Sequence, residues 1–395
     1  MENLTHSLVG AALARAALDE AAPAPVRRAT VLAGVLSANA PDLDLLYTWI
    51  TPAPIGYLLH HRGHTHTVAG VVALGAAIAL ISAALPAVRR SSASARGRLA
   101  IVIATGVLSH LLLDAGNSYG VHPFYPIDMR WYYGDSLFIF EPLLWLLLGG
   151  ALAIDAQSRL ARGFGLGSVA GLSIATGAIG IVPWPALAVL ALVAAAAGRL
   201  TRRLRAPRRA LAAVVAVAAF GAVMFGISRA ARAETMRLLP AAPGAERLDV
   251  VLTPNPAFPV CWSVIAIDKD EAAGVLRLRR ASVSLAPRLW AAAACPLQRL
   301  AGTAGGDGDA ALLVSDDVRV PLDRLRTGAV ADCRLRAWLS FVRAPVLAER
   351  RAYDLRFERP GSGNFTGMPI AAGSSPIVCP GFVPAWAMPR ADAVQ

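Results

Sequence analysis

Histidine and aspartate are concentrated in the first third of this 395-residue chain. All seven histidines lie before residue 123, and Asp42, Asp44 and Asp114 lie among them. The surrounding runs are apolar and typical of membrane helices, where an ionisable side chain is costly to bury and usually serves a function. The remaining 273 residues contain no histidine. We therefore expect metal or acid–base chemistry in the first third.

The densest motif is the heptapeptide His60-His61-Arg62-Gly63-His64-Thr65-His66. Four imidazoles within seven residues exceed what core packing requires, although a histidine-rich loop without a ligand remains an alternative. Gly63 lets the backbone bend so that the imidazoles can face one point. Arg62 adds a planar donor suited to phosphate or carboxylate.

His110 and Asp114 form a second motif, with a spacing of four residues. On a helix this spacing places both side chains on one face, where they can share an ion. Imidazole nitrogen and carboxylate oxygen are ordinary zinc ligands, and a hydrolytic centre needs three or more of them with one position left open. The alternative is a hydrogen-bonded His–Asp pair packed between helices.

Asp42 and Asp44 form the third motif, on a turn marked by Pro41. One carboxylate can bind a cation, while its neighbour orients another ligand or bridges two ions. A solvated turn or a helix cap is the alternative.

Composition predicts a polytopic α-helical membrane protein. Hydrophobic residues make up 56% of the chain, charged residues only 16%, and the mean hydropathy is +0.52. The net charge of +12 comes from short arginine clusters between apolar runs, which are topology signals and do not indicate a nucleic-acid partner. The apolar runs predict about eight membrane segments, at 4–18, 26–39, 67–88, 99–115, 137–155, 164–182, 184–198 and 210–228.

Arginine placement predicts the orientation of these segments. Fourteen arginines lie in alternate turns, and the opposite turns, at 40–66 and 116–136, hold only Arg62 and Arg130. Cytoplasmic loops carry the excess of basic residues. We therefore expect the histidine motifs and the C-terminal region on the extracytoplasmic side of a bacterial inner membrane.

Two domains are expected, a transmembrane domain over 1–232 and a β-rich extracytoplasmic domain over 233–395. The second contains all four cysteines, which predict two disulfides in one of three connectivities, or else four small buried side chains. Alternating stretches predict its strands, at 247–253, 261–268, 274–283, 311–320, 333–342 and 353–358.

An aromatic run, 131–133, lies between Asp128 and Glu141 and is typical of an interfacial belt. Asp135 and Glu141 lie on the predicted active side, so each could act as a further ligand or a general base.

The ordered motifs also carry a resemblance. The chain resembles the YdjM-like family of membrane-bound metal-dependent hydrolases over about residues 1–150, in Thr5-His6, Pro41-Asp42-Leu43-Asp44, His61-Arg62-Gly63-His64-Thr65-His66, and Ser109-His110 through Asp114 with Gly120-Val121 and Pro126. The resemblance implies a hydrolase with a metal centre at the matching positions: His6, Asp42, Asp44, His61, His66, His110 and Asp114. The His-x-x-x-Asp arrangement is also similar to that of zinc-dependent phospholipases of the C type, which suggests a phosphoester substrate.

Together these features predict a membrane hydrolase that uses one or two divalent ions, zinc by preference, to activate water against a lipid or small phosphoester. Arg62 would pair with the substrate anion, and Asp44, His64 or Glu141 would take the proton. Two alternatives remain open, a divalent-ion transporter and a protein whose metal only joins helices. The oligomeric state is not predicted.

Overall fold

The computed structural model describes residues 1–156, 158–297, 309–358, 363–370 and 378–394. Helices dominate the chain up to Leu238, interrupted by a non-helical segment at 116–141, and two antiparallel sheets with short helices follow. The predicted combination of a helical N-terminal region with a C-terminal β-rich domain is confirmed.

The N-terminal region contains eleven α-helices among the described residues. They are α1 (Asn3–Ala17), α2 (Ala24–Asn39), α3 (Ile55–His60), α4 (Val68–Ala84), α5 (Pro86–Arg89), α6 (Ala93–Ala115), α7 (Pro142–Leu144), α8 (Gly150–Ile154), α9 (Arg159–Ala178), α10 (Trp184–Thr201) and α11 (Ala206–Leu238). Two series of 3₁₀ turns, Ala40–Ile50 and His64–His66, flank α3. A π-helical turn, Trp145–Gly149, joins α7 to α8.

Three of the described helices are long and apolar enough to cross a membrane: α6, α10 and α11. The pair formed by Ile55–His66 and α4, bent by 67°, would be a fourth. The predicted number of about eight is not supported. Helices α1 and α2 have 15 and 16 residues, which corresponds to about 22–24 Å, short of the roughly 30 Å hydrocarbon core.

Close backbone packing joins α1, α2 and α6. A Cβ atom at Gly10 would overlap the carbonyl oxygen of Gly34, and one at Gly106 would overlap the Ser37 side chain. Small residues at these positions let the helix backbones approach closely, as in many membrane proteins. The packing brings together the helix ends that carry the polar motifs.

The C-terminal domain is built on a four-stranded antiparallel sheet in the order β1-β2-β3-β4. Its strands are Glu246–Asn255, Phe258–Asp270, Val275–Ser284 and Leu312–Pro321. A second sheet contains β5 (Pro345–Leu347), β6 (Arg351–Asp354) and β7 (Met368–Pro369). The α-helices that the structure fully describes in this domain are α12 (Leu322–Ala331), α13 (Cys333–Leu339) and α14 (Ala391–Val394).

The predicted strand at 333–342 is wrong, because Cys333–Leu339 forms α13. Asp332 caps this helix, accepting hydrogen bonds from the backbone N–H groups of Arg334 and Leu335. The apolar side chains of α13 are buried in the domain core.

The four cysteines form two disulfides, as predicted. Cys261 bonds Cys295 within the first sheet and its adjoining turn, and Cys333 bonds Cys379. The structure thereby selects one of the three connectivities that the sequence left open. The second bond ties α13 to the segment 378–394.

The two regions share one hydrophobic core. Ile55 and Leu58 of α3 pack with C-terminal residues that include Phe341 and Trp386. Because the loop before α4 is held against the C-terminal domain, that domain helps to position the histidine motif.

Candidate metal centre

Ionisable side chains from four parts of the N-terminal region converge at one end of α6. They are His6 from α1, Asp42 and Asp44 from the 3₁₀ segment, His61 and His66 from the turns after α3, and His110 and Asp114 from the last turns of α6. All seven residues predicted as metal ligands are therefore neighbours in the fold.

Four of these residues form the centre of the group. His66 and His110 place their Nε2 atoms 3.1 Å apart. The Oδ1 atom of Asp42 lies 3.5 Å from each Nε2, and the Oδ2 atom of Asp114 lies 3.3 and 3.6 Å from them. We call Asp42, His66, His110 and Asp114 the four-residue cluster; all four ligand atoms lie within 4.8 Å of one another.

Hydrogen bonds fix the tautomers of both imidazoles. The Nδ1 atom of His110 lies 2.7 Å from the carbonyl oxygen of Ala38. Nδ1 of His66 lies 3.1 Å from Oδ2 of Asp44 and 3.1 Å from the hydroxyl oxygen of Thr65, whose proton is donated to Asp44. Since these oxygens can then only accept, each Nδ1 must donate. In neutral rings each Nε2 then carries a lone pair, and carboxylate or carbonyl partners of this kind are typical of metal-binding histidines.

The four ligand atoms fit a tetrahedral ion. With metal–ligand bonds of 2.0–2.1 Å, as in zinc sites, the atoms at two corners of a tetrahedron lie about 3.3 Å apart. Five of the six separations in the cluster lie between 3.1 and 3.6 Å. The residues present therefore suit a divalent ion in both chemistry and spacing.

Asp44 lies next to the cluster and orients the His66 ring. It accepts hydrogen bonds from the Arg62 backbone N–H and the Thr65 hydroxyl, and it also faces Nδ1 of His61 at 3.1 Å. Burial would raise the pKa of the Asp44 carboxyl, but the hydrogen bonds from His61 and His66 outweigh it and hold this pKa below its usual range. Asp42, Asp44 and His61 also form a second group that could hold an ion, and Asp42 belongs to both groups.

Residues 1–183 match a family model described as "YdjM inner membrane protein". The match covers slightly less than half of the chain, and we call residues 1–183, which are similar to this family, the YdjM region. The matched residues include every member of the four-residue cluster, and the resemblance drawn from the motifs is confirmed. No curated protein and no solved structure matches the chain.

Arg62 is buried beside the cluster in the YdjM region. Its Nε atom lies 3.0 Å from Oδ2 of Asp114, its Nη1 donates to Oδ1 of Asn117 at 2.8 Å, and its guanidinium lies over the Tyr119 ring. The residue has a left-handed backbone with φ of 60°, which is strained for a side chain of this size. The hydrogen bond from its backbone N–H to Asp44 helps to hold that conformation.

His6 lies at the edge of the cluster. Its Nε2 atom is 3.3 Å from Oδ1 of Asp114, and its ring stacks on that of His110 with the centroids 3.8 Å apart. The amino group of Met1 also contacts Asp114. Neither ring nitrogen of His6 has a hydrogen-bond partner among the described residues, although both are buried.

Three residues predicted as catalytic have partners elsewhere in the described structure. The ring of His64 packs against Tyr125 and Trp386. Asp135 forms a two-pronged ion pair with Arg343 of the C-terminal domain, at 2.8 and 2.9 Å.

Glu141 is the third of them. It accepts hydrogen bonds from the backbone N–H groups of Phe138 and Ala257. Burial raises the pKa of the Glu141 carboxyl to about 8. Both Asp135 and Glu141 therefore connect the YdjM region to the C-terminal domain.

Three groups that surround the cluster or its neighbours were not predicted from the sequence. Asn117 lies three residues after Asp114, and this spacing could have indicated it. The carbonyl oxygen of Ala38 has no side-chain signal at all. His122 stacks on Trp386 with ring centroids 3.9 Å apart, and no local pattern could pair residues so distant in the chain.

Proposed function

We propose that this protein is a membrane-bound, metal-dependent hydrolase that acts on a phosphoester or lipid-type substrate. The observation that carries the proposal is the convergence of two imidazole Nε2 atoms and two carboxylates at tetrahedral spacing. Two anionic oxygens and two neutral imidazole Nε2 atoms at these distances repel one another unless a proton or a metal cation lies between them.

In this proposal each residue has a defined task. Asp42, His66, His110 and Asp114 hold the ion, while Asp44 and the Ala38 carbonyl orient the two imidazoles. A divalent ion in such a shell supplies Lewis-acid polarisation of an ester or phosphoryl oxygen. Arg62 contributes positive charge beside Asp114, which would attract an anionic substrate group to the ion.

His61 is placed to move a proton. Its Nδ1 atom lies 3.1 Å from Oδ1 of Asp44. The His61 side chain is 12% exposed, whereas the side chains of His66, His110 and Asp114 are at most 1% exposed. A histidine oriented by a carboxylate is a common general base. We therefore assign to His61 the proton transfer that the sequence assigned to Asp44, His64 or Glu141.

A metal that only joins helices is the second candidate, because the cluster is deeply buried and its four ligand atoms would fill a tetrahedral shell, so that a substrate oxygen would need a fifth position. Closed ligand shells are typical of structural sites, and open positions of catalytic ones. A carrier has less support, since its ligands would need to follow a path through the bilayer, whereas the described cluster lies at one end of α6.

We also propose that the cluster and the C-terminal domain face the extracytoplasmic side. Two disulfides in that domain support an oxidising compartment. The arginine-rich turns support the same orientation. The test is a thiol reagent that cannot cross membranes, which should label Ile127→Cys, in the turn at 116–136 and 95% exposed, and miss Ser94→Cys, also exposed but in an arginine-rich turn.

Metal analysis of purified variants, followed by a hydrolysis screen, tests the main proposal. His110→Ala and Asp114→Ala should lose bound metal, together with hydrolysis of phosphoester and lipid substrates. His122→Ala is a matched control, because His122 is equally buried but lies outside the cluster. Equal metal content in all variants would reject the ligand assignment. Metal lost from both cluster variants, with no hydrolysis by the wild type, would favour the structural site.

A further inference from the structure

The 3₁₀ segment Ala40–Ile50 has an unusually apolar outer surface. Leu46 is 72% exposed and Trp49 is 79% exposed, and Leu43, Leu45 and Ile50 are also exposed. We infer that this segment docks into the lipid surface of the membrane and places the exposed edge of the metal cluster at the depth of the lipid head groups.

The segment is amphipathic in a way that suits a membrane interface. Its only charged residues are Asp42 and Asp44, and both turn inward to the histidines. The outward side therefore presents no charge, while the acidic side chains lie behind it. A water-facing segment would have no physical reason to expose five large apolar side chains together.

Its apolar surface continues into the neighbouring helices. Leu32 and Leu36, one turn apart on α2, are exposed just before the segment, and Val68 and Val72 are exposed on α4. Because α4 belongs to the bent candidate span, its exposed side chains would face lipid. The apolar surface of the segment is thus flanked by membrane-facing helices and is not an isolated patch.

Trp49 is suited to this location by its own hydrogen bond. Its indole Nε1 donates to the carbonyl oxygen of Leu46 at 2.8 Å. The ring can enter a poorly hydrated layer without leaving a buried donor unpaired. Tryptophan is also enriched where hydrocarbon meets head groups.

The same segment carries the exposed edge of the site. Within the four-residue cluster Asp42 keeps the largest exposure, 8%, and His61 lies beside it. A substrate must approach across this edge, so a docked segment would present the cluster to ester groups of bilayer lipids. This step rests on the proposed hydrolase function, whereas the docking itself does not.

Spin labelling tests the docking directly. All four native cysteines are in disulfides, so Leu46→Cys or Trp49→Cys would each add a single free thiol. Val330→Cys is the matched control, since Val330 is also 79% exposed but lies on α12 of the C-terminal domain. In phosphatidylethanolamine–phosphatidylglycerol vesicles, labels at 46 and 49 should be several-fold more accessible to oxygen, relative to a water-soluble nickel complex, than the label at 330.

The same labelled proteins are assayed for bound metal and for hydrolysis of the vesicle lipids. Labels at 46 and 49 that behave like the label at 330 would overturn the docking inference, even in an active protein. Lipid-exposed labels in a protein that hydrolyses no ester would support the docking and overturn the hydrolase. The failure of one proposal is thereby distinguished from the failure of the other.

Discussion

His66 and His110 point their Nε2 atoms at each other across 3.1 Å, although 44 residues separate them in the chain. Each ring is held from its other nitrogen, by Asp44 in one case and by the Ala38 carbonyl in the other. In neutral rings the two Nε2 lone pairs are therefore directed toward one point, held there by groups that do not themselves reach it. Several measurable consequences depend on this arrangement.

Asp44→Asn should weaken metal binding without abolishing it. The amide keeps the shape of the carboxylate but loses the charge that orients His66, and loss of such a partner typically costs about 10–100-fold in metal affinity. Competition with a chelator measures this change. Asp128→Asn is the control, because Asp128 pairs with the exposed Arg130 outside the site. Unchanged affinity in Asp44→Asn would show that His66 does not depend on this carboxylate.

Gly10→Ala should destabilise the protein. The added Cβ would overlap the backbone of Gly34, and overpacking of this kind costs about 1–3 kcal/mol. Because α1 would be displaced from α2, bound metal should also become less stable. Thermal unfolding in detergent measures the first effect and chelator resistance the second.

Gly97→Ala is the matched helical control for that change. No atom lies within 4 Å of a Cβ at Gly97, so the substitution should stabilise α6 by up to about 1 kcal/mol. Equal melting temperatures for the two variants would argue against close packing of α1 on α2.

Arg343→Met should loosen the C-terminal domain from the YdjM region. Arg343 is buried and pairs with both Asp135 and Asp249, so its loss leaves two carboxylates without their main partner. Removing one member of a buried ion pair costs about 3–5 kcal/mol. Chemical unfolding measures this loss, and limited proteolysis reports release of the domain.

Arg277→Met provides the comparison, because the Arg277–Asp317 pair is partly exposed. Exposed pairs contribute about 0–1 kcal/mol. Similar destabilisation by both substitutions would contradict a special role for the buried network.

Glu141→Gln should change how stability depends on pH. The carboxyl of Glu141 has a pKa of about 8 in the folded protein, against an ordinary value of 4.5. Between these values the native state keeps a proton that the unfolded state has lost, so wild-type stability falls as pH rises. Glutamine does not titrate. The melting temperature of the variant, relative to wild type, should therefore increase from pH 4.5 to pH 8 and level off above it.

If the melting temperatures of Glu141→Gln and wild type changed in parallel from pH 4.5 to pH 8, Glu141 would be ionised in the native protein over this range. Gly97→Ala serves again as the control, since it changes no titratable group.

Part of the candidate site could be predicted from local spacing. The interval between His110 and Asp114 is four residues, and helical geometry alone places both on one face. The proximity of His61 to His66 follows from the short chain between them. By contrast, the contact of Asp42 with His110 depends on how α2 packs against α6, and that packing depends on glycines whose partners are distant in sequence.

The number of membrane segments also depends partly on local sequence and partly on long-range packing. Hydropathy located the apolar runs, but it could not distinguish a helix that crosses a bilayer from a shorter one buried in a bundle. Helix α1 is apolar because it packs on α2, α6 and α11, and its 15 residues are too few to span.

By itself, the sequence determined the membrane class, the β-rich C-terminal domain, the set of candidate ligands and the YdjM resemblance, because composition and short-range periodicity are properties of neighbouring residues. Only the tertiary structure decided which disulfides form, that Asp44 orients His66 while Asp42 faces the cluster, and that Asp135 and Glu141 join the two regions. Those outcomes depend on long-range packing, because residues that are distant in the sequence come into contact only when the whole chain has folded.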